Sequence, residues 1–528
     1  MTDNTFLNID TDRAVSLVDQ VAKALTASKE NITLFNAKGS FKSYVISELI
    51  KKSDKQFVII TSKQSEAERI FNDLRFFSSD DGICFYPCLD TLPYDKFLPQ
   101  IEVTAKRMQI LSKLLSSNVR CIVTSTKAVQ KRVIPKSTLR DEQELIESGE
   151  EIEREKFLNR LISWGYTRTP VVEDPGEYAV RGNIIDIYIP SCSLPIRIEL
   201  FSDLVESIRE FDPLTQRSKG EISEVICAPV VETIYKRATK QKAVSVITEV
   251  CSDYDIEFKK RKELVEKIKE EVYFSELSNF TGAFYEEMGS LFDYCDDDAV
   301  IINLNPTDIK SVHDEHYNDI YARFDSNIKE QKISLPPEMV YLKPEESEAI
   351  KNKHLNIFIH DLELIDKSAG NYFKFDVSEN DSLRSELLLK SANKKDIFAE
   401  HVMTDESRTE IDKKLRKSAM ALKPLIDILS DGLLRKKKVV ITARTVGQAE
   451  RLFELLENYD IGLSLIDNIS LDALDPAVFD RVIILTGTLG GGFISESEGL
   501  ILITEEEIFG KRVKHSVNQR SKQVPTSK

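Results

Sequence analysis

The stretch LFNAKGSFKSYV, residues 34–45, stands where an apolar strand pattern gives way to a helical one. A phosphate-binding loop reads G-x-x-x-x-G-K-[ST], because its backbone N–H groups close around the phosphates while the Lys meets their charge and the hydroxyl meets Mg²⁺. Aligned on Lys42 and Ser43, this chain has Asn36 in place of the first glycine and Phe41 in place of the second. A side chain at the second position stands where the backbone must approach the nucleotide. We predict a degenerate nucleotide loop that comprises Asn36, Gly39, Phe41, Lys42 and Ser43.

The residues around this loop alternate between strand and helix patterns. Four β-rich apolar runs, ITLFNA, QFVIITS, GICFYP and RCIVTST, fall within residues 14–134. Between the second and the third lies SEAERIFNDLRFF, whose apolar residues recur at helical spacing. This alternation predicts a parallel α/β layer, which places ligands at the carboxyl ends of its strands. The degenerate loop follows the first strand, where a P-loop belongs.

The pattern changes after residue 135. The runs GEYAVRGNIIDIYIP and LPIRIELFSDLVESIREFDPLTQRS alternate apolar and polar residues, as half-buried antiparallel strands do. The predicted fold class is multidomain α/β: a degenerate P-loop, helicase-like parallel sheet split by a small α+β insertion and followed by a second α/β domain. The predicted divisions are 1–135, 136–230, 231–345, 346–510 and a basic tail or linker at 511–528.

Composition and charge limit the classes of function. The chain of 528 residues has 88 Asp and Glu against 72 Lys and Arg, and its formal net charge of −16 repels a polyanion. We therefore expect weak binding of duplex DNA, although a local basic patch is compatible with this charge. Seven singly placed Cys predict reduced thiols rather than a disulfide framework. Without a signal-peptide pattern or a long apolar run, we expect a cytoplasmic protein that does not contact a membrane.

An ordered string of motifs between residues 86 and 217 resembles one protein family. It includes YPCLDTLPYDKFLPQIEVTAKRMQIL, GYTRTPVVEDPGEYAVRGNIIDIYIP and ELFSDLVESIREFDPLTQRS, and weaker agreement extends to GFISESEGLILITEEEIFGKRV. The motifs resemble the N-terminal part of the bacterial transcription-repair coupling factors (Mfd), which is itself similar to the damage-recognition protein UvrB. The resemblance implies a UvrB-like module whose inserted domain recruits UvrA.

The resemblance also implies which activities lie outside this chain. In the family, later regions bind RNA polymerase and run an ATP- and Mg-dependent DNA translocase, so RNA polymerase, DNA, ATP and Mg are assigned to those regions. The chain stops close to where the polymerase-binding domain begins in the family, and we expect it to be a fragment or a truncated product. UvrB keeps an intact P-loop, whereas the corresponding module of the coupling factors has lost it. We therefore expect this chain to need no cofactor and to be no enzyme.

A second nucleotide motif leads to the same expectation. A Walker-type ATPase needs a carboxylate after an apolar strand to hold Mg²⁺. Here the strand pattern at 300–302 runs into Asn303, Leu304, Asn305 and Pro306, and no acid is available at that place. Loss of both the glycines and the metal ligand predicts that ATP is not hydrolysed.

Two arginines of the inserted domain are the predicted contacts with a partner. Arg168 in GYTR and Arg181 in AVRG match positions that contact UvrA in the UvrB pattern, and a guanidinium fork suits carboxylates on a partner. UvrB has a further Arg where this chain has Ala179, so that contact is in doubt. Tyr188 is predicted to be a surface anchor beside the arginines. The alternative for each arginine is an internal ion pair with Glu173, Asp174 or Glu177.

Two other motifs and two rival functions stay open. Arg107 in AKRM is predicted to pack rather than to bind phosphate, and GTLGGGF at 487–493 is predicted to be a flexible turn because no Lys-Ser/Thr follows it. The first rival is a nucleotide-dependent DNA-binding enzyme related to UvrB or to helicases. The second is a free-standing regulatory protein with the same fold.

Overall fold

The computed structural model describes residues 16–27, 30–97, 99–116, 119–274, 276–361, 371–380 and 422–509. The basic tail predicted at 511–528 lies outside the described residues. The strands, in chain order, are β1 (Ile32–Phe35), β2 (Phe57–Thr61), β3 (Ile83–Tyr86), β4 (Cys121–Ser125), β5 (Glu144–Glu147), β6 (Thr167–Arg168), β7 (Glu177–Arg181), β8 (Ile184–Ile187), β9 (Ile196–Phe201), β10 (Leu204–Phe211), β11 (Ser218–Ile222), β12 (Glu224–Cys227), β13 (Val300–Leu304), β14 (Leu355–His360), β15 (Asn371–Lys374), β16 (Val377–Ser378), β17 (Lys438–Ala443), β18 (Leu463–Ile466), β19 (Val482–Thr486), β20 (Phe493–Ser495) and β21 (Leu500–Thr504).

The α-helices connect and cover these strands. In chain order they are α1 (Leu17–Ala27), α2 (Phe41–Lys51), α3 (Gln64–Phe77), α4 (Ile101–Leu115), α5 (Thr126–Gln130), α6 (Lys136–Asp141), α7 (Arg154–Ser163), α8 (Arg237–Asp253), α9 (Phe258–Lys269), α10 (Pro306–Lys329), α11 (Pro344–Lys351), α12 (422–434), α13 (Val446–Glu457) and α14 (Glu505–Phe509). Short 3₁₀ helices lie at Leu277–Ala283, Leu291–Tyr294, Pro337–Met339, Leu471–Ala473 and Pro476–Asp480.

A seven-stranded sheet of order β15-β1-β14-β13-β2-β4-β3 organises the first part of the chain. Every pairing in it is parallel. Strands β1, β2, β4 and β13 are buried along their whole length, as expected for a parallel sheet with both faces covered. The apolar runs of the sequence therefore form the predicted α/β layer, and the multidomain α/β fold class is confirmed.

An inserted domain separates β4 from β13. Its six-stranded sheet has the order β11-β10-β9-β8-β7-β6, and β5 pairs with β12 in a two-stranded sheet beside it. Pairings are antiparallel except for the short β6, which runs parallel to β7. Alternate residues of β9 are buried, as the apolar and polar alternation predicts.

A third sheet, of order β16-β20-β21-β17-β19-β18, follows in the chain. The division predicted at residue 345 requires correction, because β14 and β15 pair with β1 and β13 in the first sheet. Parallel strands of two α/β sheets have the same sequence pattern, and only the pairing shows to which sheet a strand belongs. Among the described residues, no helix is long and apolar enough to cross a membrane.

One apolar core joins the first sheet to the third. It includes β1, β2, α2 and α3 on one side and Leu485, Phe493 and Leu502 on the other. At its centre the fully buried ring of Phe41 meets Phe375 and Phe493 edge-on, with ring centroids 5.1 Å away in both cases. Such edge-to-face pairs are favourable beyond the area they bury. The residue that disrupts the P-loop sequence is therefore a central packing residue.

This packing predicts a large stability loss on truncation of Phe41. Phe41→Ala leaves a cavity between three elements and should lower the free energy of unfolding by about 3–5 kcal/mol. The matched control is Phe201→Ala, because Phe201 is 67 % exposed and its truncation should change stability by no more than about 0.5 kcal/mol. Urea denaturation of both variants measures the difference. Equal stabilities of the two variants would contradict the packing role.

Candidate functional sites: the degenerate nucleotide loop and the inserted sheet

The degenerate loop connects β1 to α2, and Asn36 anchors it to β14 and to the residue that follows β15. Asn36 adopts a left-handed backbone conformation (φ 62°), which Asn tolerates better than most residues. Its N–H donates to the His360 carbonyl at 3.1 Å, and its side-chain amide donates to the Phe375 carbonyl at 2.8 Å. The first altered position of the motif thus ties the loop to the segment that follows the first sheet.

Lys42 forms an ion pair rather than presenting a free charge. Its side chain is 3 % exposed, and its ammonium donates to Asp361 at 2.5 Å. Asn305 donates to the other oxygen of the same carboxylate at 3.0 Å. Burial raises the pKa of Asp361, but the charge of Lys42 and the hydrogen bonds from Lys42 and Asn305 outweigh it, so that this pKa is lowered. The carboxylate occupies the donors that a phosphate would need.

Ser43 donates its hydroxyl to a carboxylate instead of facing solvent. Its partner is Asp73 of α3, at 3.1 Å, and Asp73 is 1 % exposed. The other oxygen of Asp73 accepts the N–H of Gly490 at 2.9 Å, and the Ser40 hydroxyl accepts the N–H of Gly491 at 3.1 Å. Burial raises the pKa of Asp73, which its hydrogen bonds partly offset. The hydroxyl that would meet Mg²⁺ in a P-loop is therefore used to attach the third domain.

The glycine-rich segment at 487–493 packs against this loop. A Cβ on Gly490 would lie 2.5 Å from the side chain of Arg69, and one on Gly492 would lie 2.3 Å from the Leu502 carbonyl. A Cβ on Gly39 would lie 3.4 Å from the Gly492 carbonyl. The segment is a turn between β19 and β20, as predicted, and its flexibility stays a prediction. Its glycines are explained by close packing, of Gly490 on Arg69 of α3 and of Gly492 on Leu502 of its own sheet.

The end of β13 also carries amides where an ATPase has acids. Asn303 donates to the side-chain oxygen of Asn356 at 3.0 Å, and Asn305 reaches Asp361. Sequence reasoning missed both Asp361 and Asp73. The available signal for Asp361 was a carboxylate directly after a buried strand, at the sheet edge that the loop also occupies.

Arg168 lies on β6, the edge strand of the inserted sheet. It is exposed, and among the described residues it has no hydrogen bond or ion pair. The hydroxyl of Tyr178, its partner in register on β7, has a pKa raised by burial and partly lowered by the charge of Arg168. The guanidinium therefore stands beside Tyr178 with its donors available.

Arg181 ends β7 close to the same edge. It is exposed, and it donates to the Pro170 carbonyl at 2.6 Å, just beyond β6. No ion pair with Glu173, Asp174 or Glu177 is present in the part of the chain that the structure describes. Glu177 instead accepts the backbone N–H groups of Glu173 and Asp174, at 2.9 and 3.0 Å. The internal ion pairs considered as the alternative for these arginines do not form.

The two arginines lie on opposite faces of this edge. Arg168 is in register with Tyr178, whereas Arg181 is three residues further along β7. Side chains alternate along a strand, so an odd separation places them on opposite faces. A partner that covers the edge would meet both, whereas a partner on one face would meet only one.

Tyr188 packs against the sheet rather than standing free. Its half-buried ring contacts Val172, Ala179 and Phe211, and its hydroxyl donates to the Ser193 carbonyl at 3.2 Å. It bonds through its backbone to Glu177, four residues from Arg181, which is roughly 13 Å along the strand. The structure does not bring Tyr188 together with Arg181.

Other candidate residues have structural surroundings. Arg107 is fully buried over the Tyr86 ring at 4.4 Å and donates to the Pro87 carbonyl at 2.9 Å, so the predicted packing role is confirmed. All seven cysteines are free thiols. No group of three or more His, Cys, Asp or Glu residues that could hold a metal ion occurs among the described residues.

Comparisons with known proteins agree with this architecture. Residues 145–232 match the UvrB interaction domain, and residues 435–508 match the D3 domain of MFD. The transcription-repair-coupling factor of Bacillus subtilis (strain 168) is 27 % identical over 525 residues, which is 97 % of this chain and 40 % of that protein. The protein of the same name from Myxococcus xanthus is 24 % identical over 518 residues, 95 % of this chain and 41 % of its own length. That of Staphylococcus haemolyticus is 30 % identical over 285 residues, 52 % of this chain.

The chain is thus a multidomain α/β protein with an inserted region that matches the UvrB interaction domain. Its similarity to the N-terminal region of the transcription-repair coupling factors, predicted from the motifs, is confirmed. The chain spans about two fifths of the length of the curated relatives that it matches over nearly all of its own length.

The two partners of the Lys42–Asp361 ion pair should differ in how much stability is lost when each is substituted. Asp361→Ala leaves the buried ammonium of Lys42 without its carboxylate and should lower the free energy of unfolding by about 2 kcal/mol. Lys42→Met leaves a carboxylate that is 43 % exposed and can be hydrated, so it should cost about 1 kcal/mol or less. Denaturant melts measure both. A larger loss in Lys42→Met would contradict this account of the pair.

The same contacts predict that MgATP does not bind. Phe41, Lys42 and Ser43 are all engaged by protein groups, so isothermal titration with MgATP should give no saturable heat. Micromolar binding that is lost in Lys42→Ala would show that the loop still holds phosphate.

Proposed function

We propose that this chain recruits UvrA through its UvrB interaction domain, as the N-terminal module of a transcription-repair coupling factor, and that it does so without ATPase activity. The observation that carries the proposal is the pair of exposed arginines, Arg168 and Arg181, at the open edge of the inserted sheet. Neither has a carboxylate partner among the described residues. An exposed guanidinium without a partner is suited to a bidentate contact with an acidic surface.

The arrangement of the edge adds support. Since the arginines project from opposite faces beside a two-residue edge strand, a partner that lies against the edge can contact both. The contact from Arg181 to the Pro170 carbonyl limits the freedom of one guanidinium before binding. A pre-positioned side chain loses less entropy on association.

The lack of ATPase activity belongs to the same proposal. The loop residues that would contact phosphate and Mg²⁺ are already engaged: Phe41 packs on Phe493, Lys42 pairs with Asp361, and Ser43 donates to Asp73. We therefore disfavour the nucleotide-dependent DNA enzyme. RNA polymerase, DNA, ATP and Mg are proposed to act at other regions of the longer relatives, and a cytoplasmic location, in which the free thiols stay reduced, is part of the proposal.

The test is UvrA binding by the full chain and by Arg168→Ala, Arg181→Ala and the double variant. Each substitution removes a charge-assisted contact and leaves a carboxylate of UvrA without a partner, so each should cost on the order of 2 kcal/mol, roughly a thirtyfold loss in affinity. Isothermal titration measures the affinities, and thermal melts verify that the variants are folded.

Arg209→Ala provides the matched control. Arg209 belongs to the same sheet and its side chain is 39 % exposed, but it pairs with Glu199 at 3.4 Å. Its loss should leave UvrA affinity within about twofold of the original chain. Unchanged UvrA binding by the folded double variant would remove the arginines from the site, and would favour the free-standing regulatory protein.

A further inference from the structure

A lysine-lined cavity lies at the side of the helical segment between the inserted domain and β13. It has a volume of about 280 Å³, and it is bounded by α9, the end of α10, the 3₁₀ helix at Leu277–Ala283 and the loop that holds Lys96. Its walls include apolar side chains of Leu264, Phe274 and Phe280. Ligand cavities of about 300 Å³ and above typically combine apolar walls with a few polar groups. This cavity is therefore large enough for a small aromatic group.

Basic side chains dominate the charged groups around the cavity. The lining includes four lysines, Lys96, Lys260, Lys267 and Lys332, against two glutamates, Glu263 and Glu276. Helix α9 as a whole carries six basic and two acidic residues in a chain whose net charge is −16. This concentration of positive charge attracts an anion to a protein whose charge otherwise repels it.

Most of these lysines have no acidic partner within the described residues. The ammonium of Lys260 donates to the Gln331 carbonyl at 2.9 Å, and that of Lys267 lies 5.3 Å from the ring centroid of Phe274. Lys332 alone of the four pairs with a carboxylate, that of Glu330. By contrast, Lys240 and Lys242 of the neighbouring α8 pair with Glu271 and Glu286 at 2.5 and 2.6 Å. The difference marks Lys96, Lys260 and Lys267 as charges without an ion pair among the described residues.

Aromatic side chains accompany these charges. Phe274 and Phe280 lie with ring centroids 6.1 Å apart at the cavity. Phe97, next to Lys96, is 71 % exposed, and Phe258, at the start of α9, is 67 % exposed. Proteins that bind single-stranded nucleic acid combine a positive surface with aromatic rings on which bases stack. The base faces of a duplex are stacked inside the helix and cannot contact these rings. An acidic peptide carries no bases that could stack on them.

We propose that this surface, made of α9 and the lysine-lined cavity, binds single-stranded nucleic acid, with a base in the cavity and the phosphodiester backbone along the lysines. The proposal is independent of UvrA recruitment, because the residues concerned lie outside the inserted sheet. It assigns to Lys96, Lys260 and Lys267 a nucleic-acid affinity of this chain's own, apart from the DNA binding proposed for other regions of the longer relatives.

The experiment is fluorescence anisotropy with a labelled oligothymidine of about 12 nucleotides and a duplex of the same length, over about 50–200 mM salt. The full chain should bind the single strand at least tenfold more tightly than the duplex at the lower salt concentration. The variant K96A/K260A/K267A removes the three cavity lysines that have no ion pair among the described residues, and it should bind oligothymidine at least tenfold more weakly. Its logarithmic salt slope should fall by about 2, since a single-stranded ligand contributes about 0.7 per neutralised phosphate.

Two further variants separate the proposal from general polyanion binding. K240A/K242A removes two lysines of α8 that are already neutralised, and it should bind oligothymidine within twofold of the original chain. Phe274→Leu keeps an apolar wall without an aromatic ring, and it should weaken oligothymidine binding at least threefold while leaving heparin binding unchanged. Circular dichroism melts verify folding.

Several results would overturn the proposal. Wild-type affinity in K96A/K260A/K267A would place the binding elsewhere in the chain. An equal loss in K240A/K242A, or equal affinity for duplex and single strand, would indicate non-specific charge attraction. Parallel loss of heparin and oligothymidine binding in Phe274→Leu would show that the ring does not read a base. Preferential binding of a poly-glutamate peptide would assign the surface to an acidic protein partner.

Discussion

The edge-on contact of Phe41 with Phe375 and Phe493 is the constraint on which the rest of the module depends. A phosphate loop needs glycine at position 41 so that backbone can approach the nucleotide, whereas a shared core needs a large apolar side chain there. The two requirements exclude each other at one residue. Once the ring fills the core, the third domain is fixed against the loop, and the remaining nucleotide-binding groups become available for structural contacts.

In those contacts, donors of the loop are paired with acidic side chains of the same protein. Lys42, which would meet phosphate, instead forms an ion pair with Asp361, and the Ser43 hydroxyl, which would meet Mg²⁺, donates to Asp73. The Asp73 carboxylate, shared between the Ser43 hydroxyl and the N–H of Gly490, is nearly fully buried and needs both hydrogen bonds to offset its desolvation. Basic groups without a carboxylate partner among the described residues, such as Arg168, Lys260 and Lys267, lie away from this loop. The module thereby separates a neutralised interior from surfaces that can attract acidic or phosphate-bearing partners.

Much of the fold could be predicted from the sequence because the relevant signals are local. Fully apolar runs such as QFVIITS indicated buried parallel strands, and alternation in LPIRIELF indicated the inserted antiparallel sheet. The departure from the P-loop sequence at Asn36 and Phe41 could also be recognised, because it too is a local signal. Arg168 and Arg181 were found only through the resemblance to a family, since an isolated Arg beside several acids is compatible with an internal ion pair.

What could not be predicted depends on contacts between distant residues. The division predicted at residue 345 placed the residues of β14 and β15 in the wrong domain, because strand pairing has no signature in a single parallel strand. The close packing of Gly490 could not be predicted, because it depends on Arg69, which is far away in sequence. The ion pair of Lys42 with Asp361 joins residues 319 positions apart. The opposite-face placement of the two arginines needed the register of β6 on β7.

The central claim is that the degenerate loop is a docking site for the third domain and not a nucleotide site. Hydrogen–deuterium exchange over residues 36–43 and 487–493, with and without saturating MgATP, tests it most directly. The account predicts that amides of the two segments are protected together and that their exchange does not change when MgATP is added. Rapid exchange of residues 36–43 that slows on addition of MgATP, with no change at 487–493, would contradict it.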